Sequence, residues 1–278
     1  LIEKNATLGK KLLITGGGRC NVTNNKIDTR TMLAKYKLSN KFLFSAFSQR
    51  GVKETLDFFN GRGMATKVEN EDRVFPISNK AQSVWDVLVE YIKESGVQLC
   101  TGNAVSNISI DSITKMPVLL LTDGTKIYTK SCVVATGGTS RPETGSSGEG
   151  FLWLKKMGHT IIQNSAALVP IALSDRWAKQ LGGITLTDIK LTTFQNNKKQ
   201  DSFKGKLLFT HFGVSGPTIL NMSKDVGELL ENDKVTIMLD VFPDLDHAEL
   251  KQKIQTLLIG ESNKKIKNTL SKLIPTAL

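Results

Sequence analysis

Residues 9–24, GKKLLITGGGRCNVTN, hold the densest group of chemistry-bearing side chains in the chain. A short apolar run, Leu12, Leu13 and Ile14, opens into Gly16, Gly17 and Gly18, then into Arg19, Cys20, Asn21 and Thr23. Three successive glycines free the backbone for positive φ and let a ligand approach its N–H groups. That suits an anion or a flat ring, with Arg19 as cation and Cys20 as thiol; a tight surface turn uses the same residues. A nearby cation increases the thiolate fraction of a cysteine. Cys20 therefore reads as acid, as nucleophile, or as a small apolar residue packed beside a ring. His211, within FTHFG at 209–213, is the second candidate catalyst, or else the residue that orients its loop.

Two flanking stretches narrow the chemistry. Leu1, Ile2, Glu3 and Lys4 read as the end of an apolar strand closed by an acid. In dinucleotide-binding folds such an acid holds the ribose hydroxyls, about 20 residues beyond a glycine fingerprint. No fingerprint precedes Glu3 in this chain. Further on, Cys132, Val133, Val134 and Ala135 form the continuous apolar run expected of a buried parallel strand. It ends in Thr136, Gly137 and Gly138, which places backbone at the crevice where open α/β sheets take ligands. The later glycines of GSSGEG at 145–150 do not match a dinucleotide fingerprint and are weak by themselves. Acids and cysteines show no metal-ligand spacing, and no Ser-His-Asp arrangement stands out, so no metal is expected.

The elements that would position these residues follow from periodicity. Phe42, Leu43 and Phe47, after a cap at Asn40, and Val52, Leu56 and Phe59, before a stop at Gly61, predict helices within 28–60 with their aromatics in the core. An amphipathic helix is predicted over 84–95, with Val84, Leu88, Tyr91 and Ile92 on one face and Gly96 as its end. Strands are predicted at 97–100, 104–110 and 117–122, the last turning at Asp123 and Gly124. A helix over 151–157 closes at Gly158 and His159, where His159 reads as a C-terminal cap. From about residue 166 short strands follow, at 184–189, 191–195, 207–210 and 234–239, with a turn at Asn196 and Asn197. They suggest a small barrel or sandwich. Helices at 248–259 and 265–273, joined by a polar loop through Ser262, complete the chain.

At 278 residues, 40% hydrophobic and 23% charged, the chain is long enough for more than one domain and has ordinary globular composition. No apolar run reaches the roughly 18 residues of a membrane span, and no signal peptide opens the sequence. Three cysteines without CxxC spacing argue against a disulfide framework and fit a reducing cytoplasm. The net charge of +11 is concentrated: residues 4–53 carry eleven Lys or Arg against one acid, Asp28, while the rest is nearly neutral. A solvated lysine-rich face and a polyanion-facing surface both fit that pattern.

Together, LIEKN and GKKLLITGGGRCNVTN, DRVFPISNKA at 72–81, VVATGGTSRPETGSSGEGF at 133–151 and GKLLFTHFGVSGPTILNMS at 205–223 resemble the bacterial "predicted flavoproteins", NAD(P)/FAD-dependent oxidoreductases. That family usually has Gly where Asp72 stands. The resemblance implies an FAD-binding Rossmann-like α/β domain over 1–165. It also implies an inserted β-barrel over about 166–243 and a helical part over about 244–278. It implies that the first strand with its GxGxxG turn, and the segment returning to the flavin, lie outside the chain. FAD would then be held weakly, and the exposed sheet edge would favour aggregation. The cofactor contacts it implies are Glu3, Lys4, Lys10, Thr15, Gly16, Gly17, Gly18, Arg19, Cys20, Asn21, Val105, Thr136, Gly137 and Gly138, converging on one crevice. Cys20 and His211 are the catalytic candidates. With NAD(P)H as donor, the expected reaction is reduction of a C=C bond, in a steroid-type enone or in a uridine of ribosomal RNA. A nucleotide- or RNA-binding protein without turnover is the other reading.

Overall fold

The computed structural model describes residues 1–162, 165–261 and 263–275, with the side chains of Lys37, Leu38 and Lys267 outside the described set. Ser262 of the expected polar loop is thus outside it as well. The chain divides into two units, Leu1–Ile161 and Ile162–Leu278.

In the first unit, β1 (Ile2–Glu3) leads into α1 (Lys10–Ile14) and a 3-10 turn at Thr15–Gly17. After β2 (Thr23–Asn24) come α2 (Thr29–Leu33), a 3-10 stretch at Ala34–Ser39, α3 (Asn40–Gln49) and α4 (Val52–Gly61). The Asp28 carboxylate caps α2 by accepting from Thr31 N at 2.7 Å. β3 (Thr66–Glu69) and β4 (Arg73–Pro76) follow, and the three strands form an antiparallel sheet in the order β2-β4-β3. α5 (Ala81–Glu94) packs beside α1, and β5 (Cys100–Thr101) pairs parallel with β1, Ile2 opposite Cys100 and Glu3 opposite Thr101. A meander of β6 (Val105–Ile110), β7 (Pro117–Leu121) and β8 (Lys126–Tyr128), then α6 (Glu149–Lys156), complete the unit.

Two apolar cores organise it. One gathers Cys20, Phe59, Met64, Ala81, Val84 and Val87. The other sets Trp153 of α6 against Ile108 and Leu119 of the meander, flanked by Ile2, Val105, Ile127, Cys132 and Val134.

Three expectations are corrected here. The run at 132–135 is not a strand, and Val133 is 88% exposed. A parallel strand needs a hydrogen-bonded neighbour, and the parallel pair β1/β5, two residues long, pairs only within itself. Only the end of the strand predicted over 97–100 forms. The aromatics of α3 are not core: the helix is capped at Ser39 rather than Asn40, has no buried residue, and leaves Phe42 85% exposed.

The second unit begins with β9 (Ile171–Ala172) and α7 (Arg176–Gln180). The two predicted strands at 184–189 and 191–195 are one strand, β10 (Thr185–Gln195), because a register shift between Leu186 and Ile189, with Asp188 at φ 55°, absorbs the break. Asn196 and Asn197, at φ 50° and 61°, make the two-residue turn into β11 (Lys198–Thr210). β12 (Gly213–Ser215) runs into α8 (Pro217–Leu230), followed by β13 (Thr236–Asp240), α9 (His247–Gly260) and α10 (Ile266–Leu270). The strands form a five-stranded antiparallel sheet in the order β13-β10-β11-β12-β9. Sequence reasoning missed α8, which starts on Pro217 at its N1 position and buries Ile219, Met222 and Val226 against the sheet.

Candidate functional site

The best-formed cavity lies in the first unit and encloses about 700 Å³. One wall is apolar, from Val105 and Ile108 of β6, Leu119 of β7, Ile127 of β8, Val134 and Trp153. The rim is polar, from Glu3, Lys4, Lys10, Lys11, Thr144, Ser146 and Glu149. The meander's alternation creates this contrast, with Ile108 and Leu119 facing inward beneath the end of β1.

Glu3 sits where β1 ends. Its Oε1 accepts from the Asn5 amide N at 2.8 Å and from Asn5 Nδ2 at 2.7 Å, while Oε2 has no partner among the described residues. Asn5 Nδ2 also donates to Thr144 O at 3.0 Å, tying β1 to the loop before α6. Lys4 is neutralised by Glu149 at 3.0 Å and donates to Ser147 Oγ at 2.8 Å; the ammonium holds the Glu149 carboxyl below its usual range. Lys11 donates to Ser140 O at 2.7 Å, fastening α1 to the segment after Gly137. Gly137 has φ 71°, and a Cβ there would meet Ser146 Oγ at 2.7 Å. The rim loops therefore close on each other only because this position lacks a side chain.

The structure brings Glu3, Lys4, Lys10, Val105, Thr136 and Gly137 to this cavity. It does not bring Thr15, Gly16, Gly17, Gly18, Arg19, Cys20, Asn21 or Gly138 into the lining. The glycine loop, at the far end of α1, does take the positive φ expected, at 56°, 67° and 83°. A Cβ at Gly17 or Gly18 would meet nothing within 4 Å, so that face of the loop is open. Gly18 O accepts from Ala81 N at 2.8 Å, which anchors the loop to α5.

Arg19 is not the free cation expected beside the thiol. Its Nη1 and Nη2 grip Glu69 at 2.9 and 3.1 Å, and its guanidinium stacks over Phe75 at 4.0 Å. Cys20, at φ 57°, is buried in the core between α4 and α5. His211 belongs to the second unit, exposed in the turn between β11 and β12 with its ring 5.0 Å from Phe212. Asn5, Lys11, Ser146, Glu149 and Trp153 were missed. The signals for the last three were the weak glycine pattern at 145–150, the motif at 133–151 and, for Trp153, the helix predicted over 151–157.

Arg19, then Lys67, hold the Glu69 carboxyl below its usual 4.5. A carboxylate lowered by folding stabilises fully above its unfolded pKa, and that contribution fades as pH falls through the folded value. Glu69→Gln is therefore expected to lose less Tm than wild type between neutrality and about pH 3, as followed by circular dichroism. An equal acid loss in both would show that the pair contributes nothing.

Chemically, the apolar wall can take a flat ring, and the Glu3 oxygen that has no partner among the described residues can accept from a diol at the strand end. Residues 1–209 match the HI0933-like protein Rossmann domain, and residues 165–278 match the HI0933-like protein barrel and H2TH domain. The chain belongs to the HI0933-like family. A Rossmann-like domain followed by a barrel and H2TH domain is the fold of this family. The chain is 26% identical, over 93% of its length, to the 3-dehydro-bile acid delta(4,6)-reductase of Clostridium scindens, covering 61% of that protein. Over its whole length it is 27% identical to the ribosomal RNA dihydrouridine synthase of Escherichia coli, covering 65% of it. The protein of that name in Haemophilus influenzae is 24% identical, again over the whole chain, with 66% covered. Thus the chain spans roughly two thirds of the length of these relatives. Among the described residues no helix is long and apolar enough to cross a membrane, and no cluster of His, Cys, Asp or Glu is gathered for a metal ion.

Proposed function

We propose that this chain seats the adenosine half of FAD in a reductase that saturates a carbon–carbon double bond, with NAD(P)H as the electron source. The observation that carries the reading is the cavity of about 700 Å³, apolar on one wall and with Glu3 on its polar rim. The names of the relatives, a bile acid reductase and two dihydrouridine synthases, support the reaction class. When bound, FAD supplies two-electron chemistry, taking hydride from NAD(P)H and passing it to one carbon of the double bond while a proton reaches the other. Glu3 Oε2 accepts the ribose hydroxyls. Trp153, Ile108 and Leu119 exclude water from the ring, and the Lys4–Glu149 pair fixes the rim. The double bond is that of an enone or of a uridine in ribosomal RNA, and the basic tract favours the second.

A second reading, a nucleotide- or RNA-binding protein without turnover, is favoured by one observation: the Cys20 thiol is packed in the core with Phe59 and Val84, and Arg19 beside it is taken up by Glu69. The test is to supply FAD and NAD(P)H and follow NAD(P)H oxidation with a steroid enone or a uridine-containing ribosomal RNA fragment. Oxidation in step with double-bond loss is expected. Bound FAD without substrate-dependent oxidation would favour the second reading.

A further inference from the structure

A second cavity, of about 510 Å³, opens in the first unit between Asn24, Lys26, Met32, Lys35, Tyr36, Glu71 and Asp72. Its two acids are already engaged: Asp72 by Lys26 at 2.6 Å, and Glu71 by Arg73 at 3.7 Å. Lys35 has no hydrogen-bond or ion-pair partner among the described residues. Tyr36, 42% exposed, touches Phe47 edge-on at 5.9 Å. Phe47 is one helical turn from Phe44, 44% exposed, which is in turn one turn from Lys41. Lys41 also lacks a partner among the described residues. Three aromatic rings, Tyr36, Phe47 and Phe44, therefore run from the cavity along one side of α3, with an unspent cation at each end. Phe42 points to the other side of that helix.

We infer that this face, from the Lys35–Tyr36 cavity along α3 to Phe44 and Lys41, binds single-stranded RNA. The inference rests on the RNA branch of the proposed function and names where that substrate docks. Tyr36 and Phe44 present π-faces on which unpaired bases stack without regard to sequence, and Lys35 and Lys41 sit beside them for the phosphates. Charge complementarity selects a polyanion, since residues 29–50, which build this face, hold Arg30, Lys35, Lys37, Lys41 and Arg50 and no acid. Exposed rings select one whose bases are unpaired.

The experiment measures anisotropy of a labelled, uridine-containing single-stranded RNA of about ten nucleotides with the whole chain at several salt concentrations. Tyr36→Ala is expected to weaken binding roughly 5- to 150-fold, matching about 1–3 kcal/mol per stacked base, and Tyr36→Phe to restore it. Lys35→Glu with Lys41→Glu should flatten the log–log salt slope by about 1.4, at roughly 0.7 per phosphate. Phe42→Ala should change nothing. Unchanged binding in the lysine pair, whose side chains support no packing, would overturn the inference. So would self-association of the chain that Phe44→Ala abolishes. Absent RNA binding with the Glu3 cavity still taking ADP overturns this face alone. Lost ADP binding with intact RNA binding overturns the flavin reading and leaves the face standing.

Discussion

Ile219→Ala is expected to destabilise the second unit by about 2–5 kcal/mol. Ile219 is fully buried where α8 crosses the five-stranded sheet, in one cluster with Met222, Val226, Ile189, Leu191, Leu207 and Phe209. Removing its three outer carbons takes away their transfer free energy and leaves a cavity. Backbone on both sides resists collapse, α8 being pinned by Pro217 at its start and by the Gly216 turn, at φ 100°. Typical domains have only about 5–15 kcal/mol in hand. Urea unfolding should show the loss as a shift in midpoint with unchanged slope. Phe42→Ala, removing an 85% exposed ring, should shift it by less than about 0.5 kcal/mol. Similar shifts for both would mean that α8 does not pack as described.

Glu3→Ala is expected to weaken ADP binding roughly 10- to 100-fold, the equivalent of about 1.5–3 kcal/mol for hydrogen bonds to a charged acceptor. Asn5 clamps one carboxylate oxygen at 2.8 and 2.7 Å, so the side chain is already held in one rotamer and the other oxygen loses little freedom on binding. The effect should be specific to the ribose. Wild type should prefer ADP to 2′-deoxy-ADP, and Glu3→Ala should bind the two alike, a cycle that separates a direct contact from a general loosening. Asn5→Ala, which keeps the carboxylate but frees it, should fall between. Calorimetric titration reads all of these. Equal discrimination in wild type and Glu3→Ala would remove Glu3 from the ribose.

Much of this was legible in the sequence because local rules and tertiary packing agreed. The helix at 81–94, the Asp123-Gly124 hairpin and the Asn196-Asn197 turn each carry a signal whose cause is local. The pairing of β6 with β7 was legible in the two runs before the Asp123-Gly124 hairpin, and Glu3 stands at a strand end as its place in the sequence suggested. The failures have the opposite character. The run at 132–135 has strand composition, but pairing depends on neighbours that composition does not reveal. The α3 aromatics have helical spacing, yet spacing cannot say whether a face is covered. Arg19 was read with Cys20, its neighbour in sequence, whereas its partner Glu69 lies fifty residues on in β3. Had its helical spacing been weighed, the 217–230 segment would have been found: Ile219, Met222 and Val226 recur at i, i+3 and i+7 behind a proline.

An adenosine moiety seated between β1, the meander and α6 leaves a footprint in backbone protection. Amide hydrogen exchange of the chain with and without ADP tests it most directly. Slowed exchange is expected at residues 2–5, in β6 and at 134–146, with α3 and the second unit unchanged. Protection confined to the Lys35–Tyr36 cavity, or no protection at saturating ADP, would contradict it.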